Sequence, residues 1–381
     1  MTPIYIENKE VFTGKVCKRC LMDESDPMIQ FDGRGYCNHC INYERKAKQW
    51  IIPGERGKNI LEQKIKEIKD QRKKNRYDVI LGISGGVDSS YLAYLAAHYE
   101  LRCLLIHFDN GWNTEIANQN IRNIINKTGF DFYTLVVNWD EFKDLQRSYF
   151  NAHVIDIEAI TDHAILATMF RLAAKNKIKY ILSGFNIATE GILPNSWTHR
   201  KQDSWNIKDI HKKFGKISLR TYPFYGFWDK RWYNSIMKYQ KLEPLNWVDY
   251  NKEKAKETLK EFFDWKDYGG KHHESFFTRF YQTVILPEKF GVDKRKAHLS
   301  TLIMSGQMSR EEAIKILENP VIDPQTRKQD LQYVASKLDF SKDELENYLQ
   351  KPKISHSYYA IEPLSIRDYF KLLLQGKKVY S

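Results

Sequence analysis

The chain has 381 residues, enough for two or three domains around a sizeable core. Its 42% hydrophobic and 28% charged content is that of a globular protein, and no run approaches the roughly 18 apolar residues of a membrane span. The formal net charge of +12 favours polyanionic partners such as RNA, nucleotides or acidic sugar nucleotides, although much of it is diffuse, as over 64–76, a solvated helix face. Residues 1–9 have no basic-then-apolar signal region, so the expected compartment is the cytoplasm and no membrane partner is expected.

Four of the five cysteines fall as Cys17-Lys-Arg-Cys20 and Cys37-Asn-His-Cys40, with 16 residues between the pairs. That spacing predicts a four-cysteine zinc site with a structural role, because four thiolates leave no open position on the ion. Disulfides are the competing reading, disfavoured in a reducing compartment. His39 could substitute as a ligand, but reads first as a neighbour of the site. Residues 41–57 read as a helix start broken by Pro53-Gly54, and 58–74 as an amphipathic helix with Ile60, Leu61, Ile65 and Ile68 on one face. The expected division is a zinc-ribbon module at 1–50, a linker helix at 51–76, a nucleotide-binding domain at 77–228 and a helical domain at 229–381.

An apolar run at 79–83 then reads as a buried strand, ending on Ser84-Gly85-Gly86-Val87-Asp88-Ser89-Ser90 before an apolar helix. A strand, a glycine turn and a helix start form an anion site, with backbone N–H groups and the positive end of the helix dipole converging. Gly85 and Gly86 permit close approach to phosphate, Ser84, Ser89 and Ser90 offer hydroxyls, and Asp88 is a hard oxygen ligand for Mg²⁺. Strands at 78–83, 102–108, 131–137 and 178–184 alternate with helices at 88–99, 114–128, 140–150 and 158–176. A fifth strand is expected at 217–224. This is the pattern of a Rossmann-like α/β fold with a parallel sheet, whose ligands bind at the carboxyl ends of the strands. Gly82, Ile83, His107, Phe108, Asp109, Asn110, Gly184 and Asn186 are placed there as candidate ligand-binding residues, with Glu190 as a candidate second carboxylate for Mg²⁺. Cys103 reads as a small buried residue.

The string from Ser84 to Ser90 resembles the pyrophosphate loop of the PP-loop ATP pyrophosphatases. It is not the Gly-x-x-x-x-Gly-Lys-Ser/Thr loop, because no lysine follows. Asp109-Asn110-Gly111 resembles the segment of that superfamily that flanks adenine and ribose. The resemblance implies chemistry at the α-phosphate: a substrate oxygen is adenylated, pyrophosphate leaves, and a nucleophile displaces AMP.

Beyond residue 229 helical patterns dominate, and one segment carries chemistry. Lys271, His272, His273, Glu274 and Arg279 cluster near a helix start at Ser275 or Glu274, and could position a substrate and move protons. Phe276, Phe277, Phe280 and Val284 form an apolar stripe that is core first. Together with the cysteine pairs and the loop, Gly269-Gly-Lys-His-His-Glu274 and Asn186-Ile-Ala-Thr-Glu-Gly191 resemble the bacterial N-acetyl sugar amidotransferases of WbpG/PseA type. That resemblance implies ATP- and Mg²⁺-dependent conversion of the N-acetyl group of a nucleotide-linked sugar into an acetamidino group. It also implies a separate glutaminase with ammonia-channelling subunits resembling imidazole glycerol phosphate synthase, since no cysteine here is left to act as glutaminase nucleophile. The rival reading is a tRNA-modifying, thiolase-like PP-loop enzyme with a zinc module. Cys103 alone would have to carry its sulfur chemistry, so a nucleic-acid partner is not expected. A weaker rival is a non-catalytic zinc adaptor.

Overall fold

The computed structural model describes residues 5–6, 9–71, 75–269, 274–375 and 380. Two short strands, β1 (Tyr5–Ile6) and β2 (Lys9–Glu10), pair antiparallel at the amino end. The cysteine loops lead into α1 (Asn38–Trp50). Pro53 then caps α2 (Gly54–Asp70), which therefore starts four residues earlier than the periodicity of 58–74 suggests. Proline suits that place because its missing N–H is one a helix start leaves unbonded anyway.

Five strands form one sheet: β3 (Val79–Gly82), β4 (Cys103–Asp109), β5 (Asp131–Val136), β6 (Tyr180–Leu182) and β7 (Gln240–Leu242). Their order is β5-β4-β3-β6-β7 and every pairing is parallel. The crossovers run through α3 (Val87–His98), α4 (Glu115–Thr128), α5 (Trp139–Ala152) and α6 (Ala159–Lys175). Strand alternation sorts the core. Val79, Leu81, Cys103 and Leu105 pack under α2, α3 and α4, while Ile80, Leu104 and Ile106 pack against Met169 and Ala173 of α6. The four expected strands and four expected helices of this region form within a residue or two of their predicted limits.

The fifth strand does not form at 217–224. The backbone N–H groups of Arg220, Thr221 and Tyr222 all donate to Oε2 of Glu141 on α5, and those of Lys216 and Ile217 to the Asp144 carboxylate. Donors taken by carboxylates are not available to a strand ladder. The chain instead passes through α7 (Ile187–Glu190), α8 (Ser204–Phe214) and α9 (Phe227–Arg231) and enters the sheet at β7, beyond residue 228.

The remainder is helical. α10 (Lys252–Phe263) packs on α3. Then come α11 (Phe276–Phe280), a wide-turned continuation at Tyr281–Phe290 that accommodates Pro287, α12 (Lys294–Met304), α13 (Arg310–Glu318), α14 (Pro324–Lys337), α15 (Lys342–Gln350) and α16 (Ile366–Leu374). Capping boxes at Ser309/Glu312 and Ser341/Glu344 start α13 and α15. Phe277, Phe280 and Val284 are fully buried, as the stripe predicts. Among the described residues no helix is long and apolar enough to cross a membrane.

Candidate active site

The loop from β3 to α3 is built around Gly85, whose φ of +79° favours glycine. A Cβ there would stand 2.6 Å from the Ala117 carbonyl oxygen, so the loop is pressed against the start of α4. Its carbonyl is tied down by Trp265 Nε1 at 3.0 Å and Asn120 Nδ2 at 3.4 Å. Within the loop, the Ser84 hydroxyl accepts from Gly86 N at 3.2 Å and lies 3.3 Å from Ser89 Oγ. The Tyr268 hydroxyl accepts from Val87 N. α3 opens at Gly86 without a side-chain cap from that residue, and the positive end of its dipole is aimed at the loop.

Two cavities meet at this loop. The smaller, about 190 Å³, is lined by Ser84, Gly86, Asp88, Ser89, Glu190 and Lys252, among others. Oδ1 of Asp88 accepts from the Tyr250 hydroxyl at 2.5 Å and from Asn186 Nδ2 at 3.4 Å. Burial, then the charge and hydrogen bond of Asp88 and the charge of Glu190, push the Tyr250 phenol far above its ordinary range. Two carboxylates among hydroxyls form a hard-oxygen donor set that fits Mg²⁺, and Lys252 supplies a cation that the loop itself lacks. Gly184 closes over this turn, with room for a Cβ only 3.3 Å from the Asp88 Cβ.

The larger cavity, about 650 Å³, lies at the carboxyl ends of the strands and is lined by Gly82, Ile83, Ser84, His107, Phe108, Asn110 and Gly184 on the sheet side. His107 donates from Nδ1 to the Ile83 carbonyl at 2.9 Å and accepts at Nε2 from Asn113 at 2.8 Å, which fixes its tautomer. Glu158, Asp162, Lys201, Thr278, Gln282 and Lys294 also line this cavity. Glu274 borders both cavities. It is delivered by backbone pairing: Thr114 N donates to the Glu274 carbonyl at 2.9 Å and Phe276 N to that of Trp112 at 2.8 Å.

The expected residues divide accordingly. Gly82, Ile83, Ser84, Gly86, Asp88, Ser89, His107, Phe108, Asn110, Gly184, Glu190 and Glu274 line one cavity or the other, and Asn186 supports Asp88 from behind. Ser90 turns into the core, fully buried, and Asp109 bonds its own turn through Gly111 N. Arg279 forms a two-pronged ion pair with Asp330, at 2.9 and 2.6 Å, and lines neither cavity. Lys271, His272 and His273 lie outside the described residues. Tyr250, Lys252, Tyr268, Glu158 and Lys294 were not anticipated. They come from turns and helix starts without a motif, joined to the loop only by the tertiary fold.

The four sulfurs of Cys17, Cys20, Cys37 and Cys40 lie within 4.8 Å of one another, all buried and none in a disulfide. Backbone N–H groups of Arg19, Cys20 and Cys37 point at Cys17 Sγ. The donor set and spacing fit a metal ion. His39 bonds Asp26 at 2.7 Å and stays outside the set. The module is anchored to α12 by Lys296–Asp23 and by Leu21 N on Ser300 Oγ.

This loop and sheet define a PP-loop ATP pyrophosphatase fold, and residues 61–185 match the family model for asparagine synthase, a member of that superfamily. Residues 274–372 match the model described as LPS biosynthesis protein WbpG-like, C-terminal domain. Together the two matches support a WbpG-like protein of the PP-loop superfamily. Among solved structures the chain is similar to the NH3-dependent NAD synthetase from Campylobacter jejuni, at 11% identity over 41% of this chain and 72% of that one, with a TM-score of 0.30. It is also similar to the U34-tRNA thiolase NcsA from Methanococcus maripaludis with its [4Fe-4S] cluster, at 16% identity over 82% and 90% and again a TM-score of 0.30. At such scores no residue role follows from either. No curated protein matches the chain.

Proposed function

We propose that this protein is an ATP-dependent amidotransferase of surface-polysaccharide biosynthesis, acting in the cytoplasm. It adenylates the N-acetyl oxygen of a nucleotide-linked sugar and lets ammonia displace AMP to give an acetamidino sugar. The observation that carries this reading is the shared cavity: Ser84 of the loop faces the same space as Glu274 and Thr278, where the WbpG-like region begins. An amide oxygen cannot leave as oxide, so it needs activation, and a loop shaped for α-phosphate transfer provides it.

In this reading the loop and the α3 start bind the phosphates and hold charge developing on pyrophosphate. Mg²⁺ on Asp88 and Glu190 would add a Lewis acid there. Proximity of the amide oxygen to the α-phosphorus lowers much of the remaining barrier. The cysteine site holds zinc. A tetrahedron with Zn–S bonds of about 2.3 Å has sulfur–sulfur edges of about 3.8 Å, and the closest Sγ pairs are at 3.6, 3.7 and 3.8 Å. Cys103 lies buried in β4, its thiol pushed up by burial, which suits neither a glutaminase nucleophile nor a sulfur carrier. Ammonia accordingly comes from a separate glutaminase with a channelling subunit. The reading is tested by AMP and pyrophosphate release with UDP-linked 2-acetamido sugars and ammonium. Release stimulated by tRNA and by no sugar nucleotide would replace it with the tRNA-modifying alternative.

A further inference from the structure

We propose that Glu158, which lines the same cavity as the phosphate loop, is the catalytic residue that takes the proton from ammonia as it attacks the adenylated amide. The proposal rests on the amidotransferase reading above.

The geometry around Glu158 leaves few groups available to a ligand. Lys201 is saturated, with Asp156 at 2.6 and 2.8 Å and Asp162 at 3.0 Å. Glu158 is held through one oxygen only, Oε1, which accepts from Thr278 Oγ1 at 2.5 Å. Its second oxygen has no hydrogen-bond partner among the described residues, and Glu158 lines the cavity. Glu158 stands at the first position before α6, its side chain making no bond to the helix end, and one turn on Thr161 is reached by Asn110 from the end of β4. The carboxylate is therefore fixed relative to the sheet edge that carries the loop. Of the cavity's other carboxylates, Asp162 pairs with Lys201 at 3.0 Å, and Glu274 stands beside the loop, its Oε1 3.3 Å from where a Cβ on Gly86 would lie.

The charge environment suits a base that works near neutrality. Burial pushes the Glu158 carboxyl up to about 7, and Asp162 adds to the shift, while Lys294 on α12, the Thr278 hydroxyl and Lys201 oppose it. A carboxylate with such a value can remove a proton at neutral pH and release it afterwards.

The ammonia lone pair forms a C–N bond to the adenylated imidate carbon. One N–H proton passes to the free oxygen of Glu158. The C–O bond to AMP then breaks, its electron pair leaving on the phosphate oxygen, and the product departs as an amidinium.

Two assays on the full chain separate adenylation from nitrogen transfer, with UDP-linked 2-acetamido sugars, UDP-N-acetylglucosamine first, as probes. Exchange of labelled pyrophosphate into ATP, dependent on the sugar and run without ammonia, reads adenylation. Amidine formation at a fixed concentration of free ammonia, followed by mass across pH, reads the whole reaction. Glu158→Gln is expected to keep exchange within about twofold, lose amidine formation by about 100-fold or more, and lose the acid limb near pH 7. Thr278→Val, which keeps the carboxylate and removes the hydrogen bond favouring its charged form, should move that limb to higher pH. Amidine formation by Glu158→Gln at the wild-type rate, or with the wild-type acid limb, would overturn the proposal, as would loss of exchange together with transfer. Absence of sugar-dependent exchange in the wild type would instead remove the amidotransferase reading itself.

Discussion

The hydroxyl of Tyr250 donates to Oδ1 of Asp88 across 2.5 Å, joining the turn before α10 to the first turn of α3. The phenol's raised titration keeps it a donor at any working pH, so it orients the carboxylate without competing for its charge. Asp88→Asn should retain the fold and lose AMP release by roughly 10²- to 10³-fold, the scale of a lost charge-stabilising group. Tyr250→Phe removes only the orienting bond, and about a tenfold loss is expected. Wild-type release by Asp88→Asn would remove Asp88 from the phosphate chemistry.

Gly85 is the backbone position on which the loop shape depends. Its positive φ and the 2.6 Å approach of Ala117 O leave no place for a side chain. Gly85→Ala should weaken ATP binding, measured by calorimetry, and lower the melting temperature through at least about 1 kcal/mol of strain. Gly33→Ala, where a Cβ meets nothing within 4 Å, is the matching control and should change neither.

The cysteine cluster tests separately from catalysis. Cys17→Ser should lower both the zinc content by elemental analysis and the melting temperature, because metal affinity in a closed site is folding free energy. A variant that keeps full stability with no metal bound would show the cluster to be an ordinary thiol core.

Acid stability follows from His163, which is fully buried, donates from Nδ1 to the Lys201 carbonyl at 2.8 Å and accepts at Nε2 from Tyr225 N at 2.9 Å. Burial pulls its titration down from 6.5 to about 4. The unfolded chain therefore binds more protons than the native one between those values. The contribution is fully present above pH 6.5 and is lost as pH falls toward 4, amounting to about 3 kcal/mol. His163→Gln should flatten the fall of melting temperature over that interval. An unchanged slope would assign the acid sensitivity to other groups.

How much of this was legible in the chain differs by region. The loop, the cysteine pairs and the first four strands follow from local patterns, because a glycine turn after an apolar run and a Cys-x-x-Cys spacing each carry their own chemistry. The fifth strand was misplaced because Glu141 and Asp144, more than 70 residues earlier, capture the backbone donors of 216–222. Arg279 reads as catalytic beside Glu274, yet Asp330 holds it, a partner 51 residues away that nothing in the segment announces. Glu158 and Tyr250 act through tertiary proximity alone. A lone acid at a helix start and a tyrosine in a turn leave no periodic trace.

The central claim is tested most directly by mass spectrometry of UDP-linked 2-acetamido sugars after incubation with the protein, ATP, Mg²⁺ and ammonium. The account predicts exchange of one oxygen for an NH group at the acetamide, with AMP and pyrophosphate formed in equal amounts. Unaltered sugars accompanied by AMP release that depends on tRNA would contradict it.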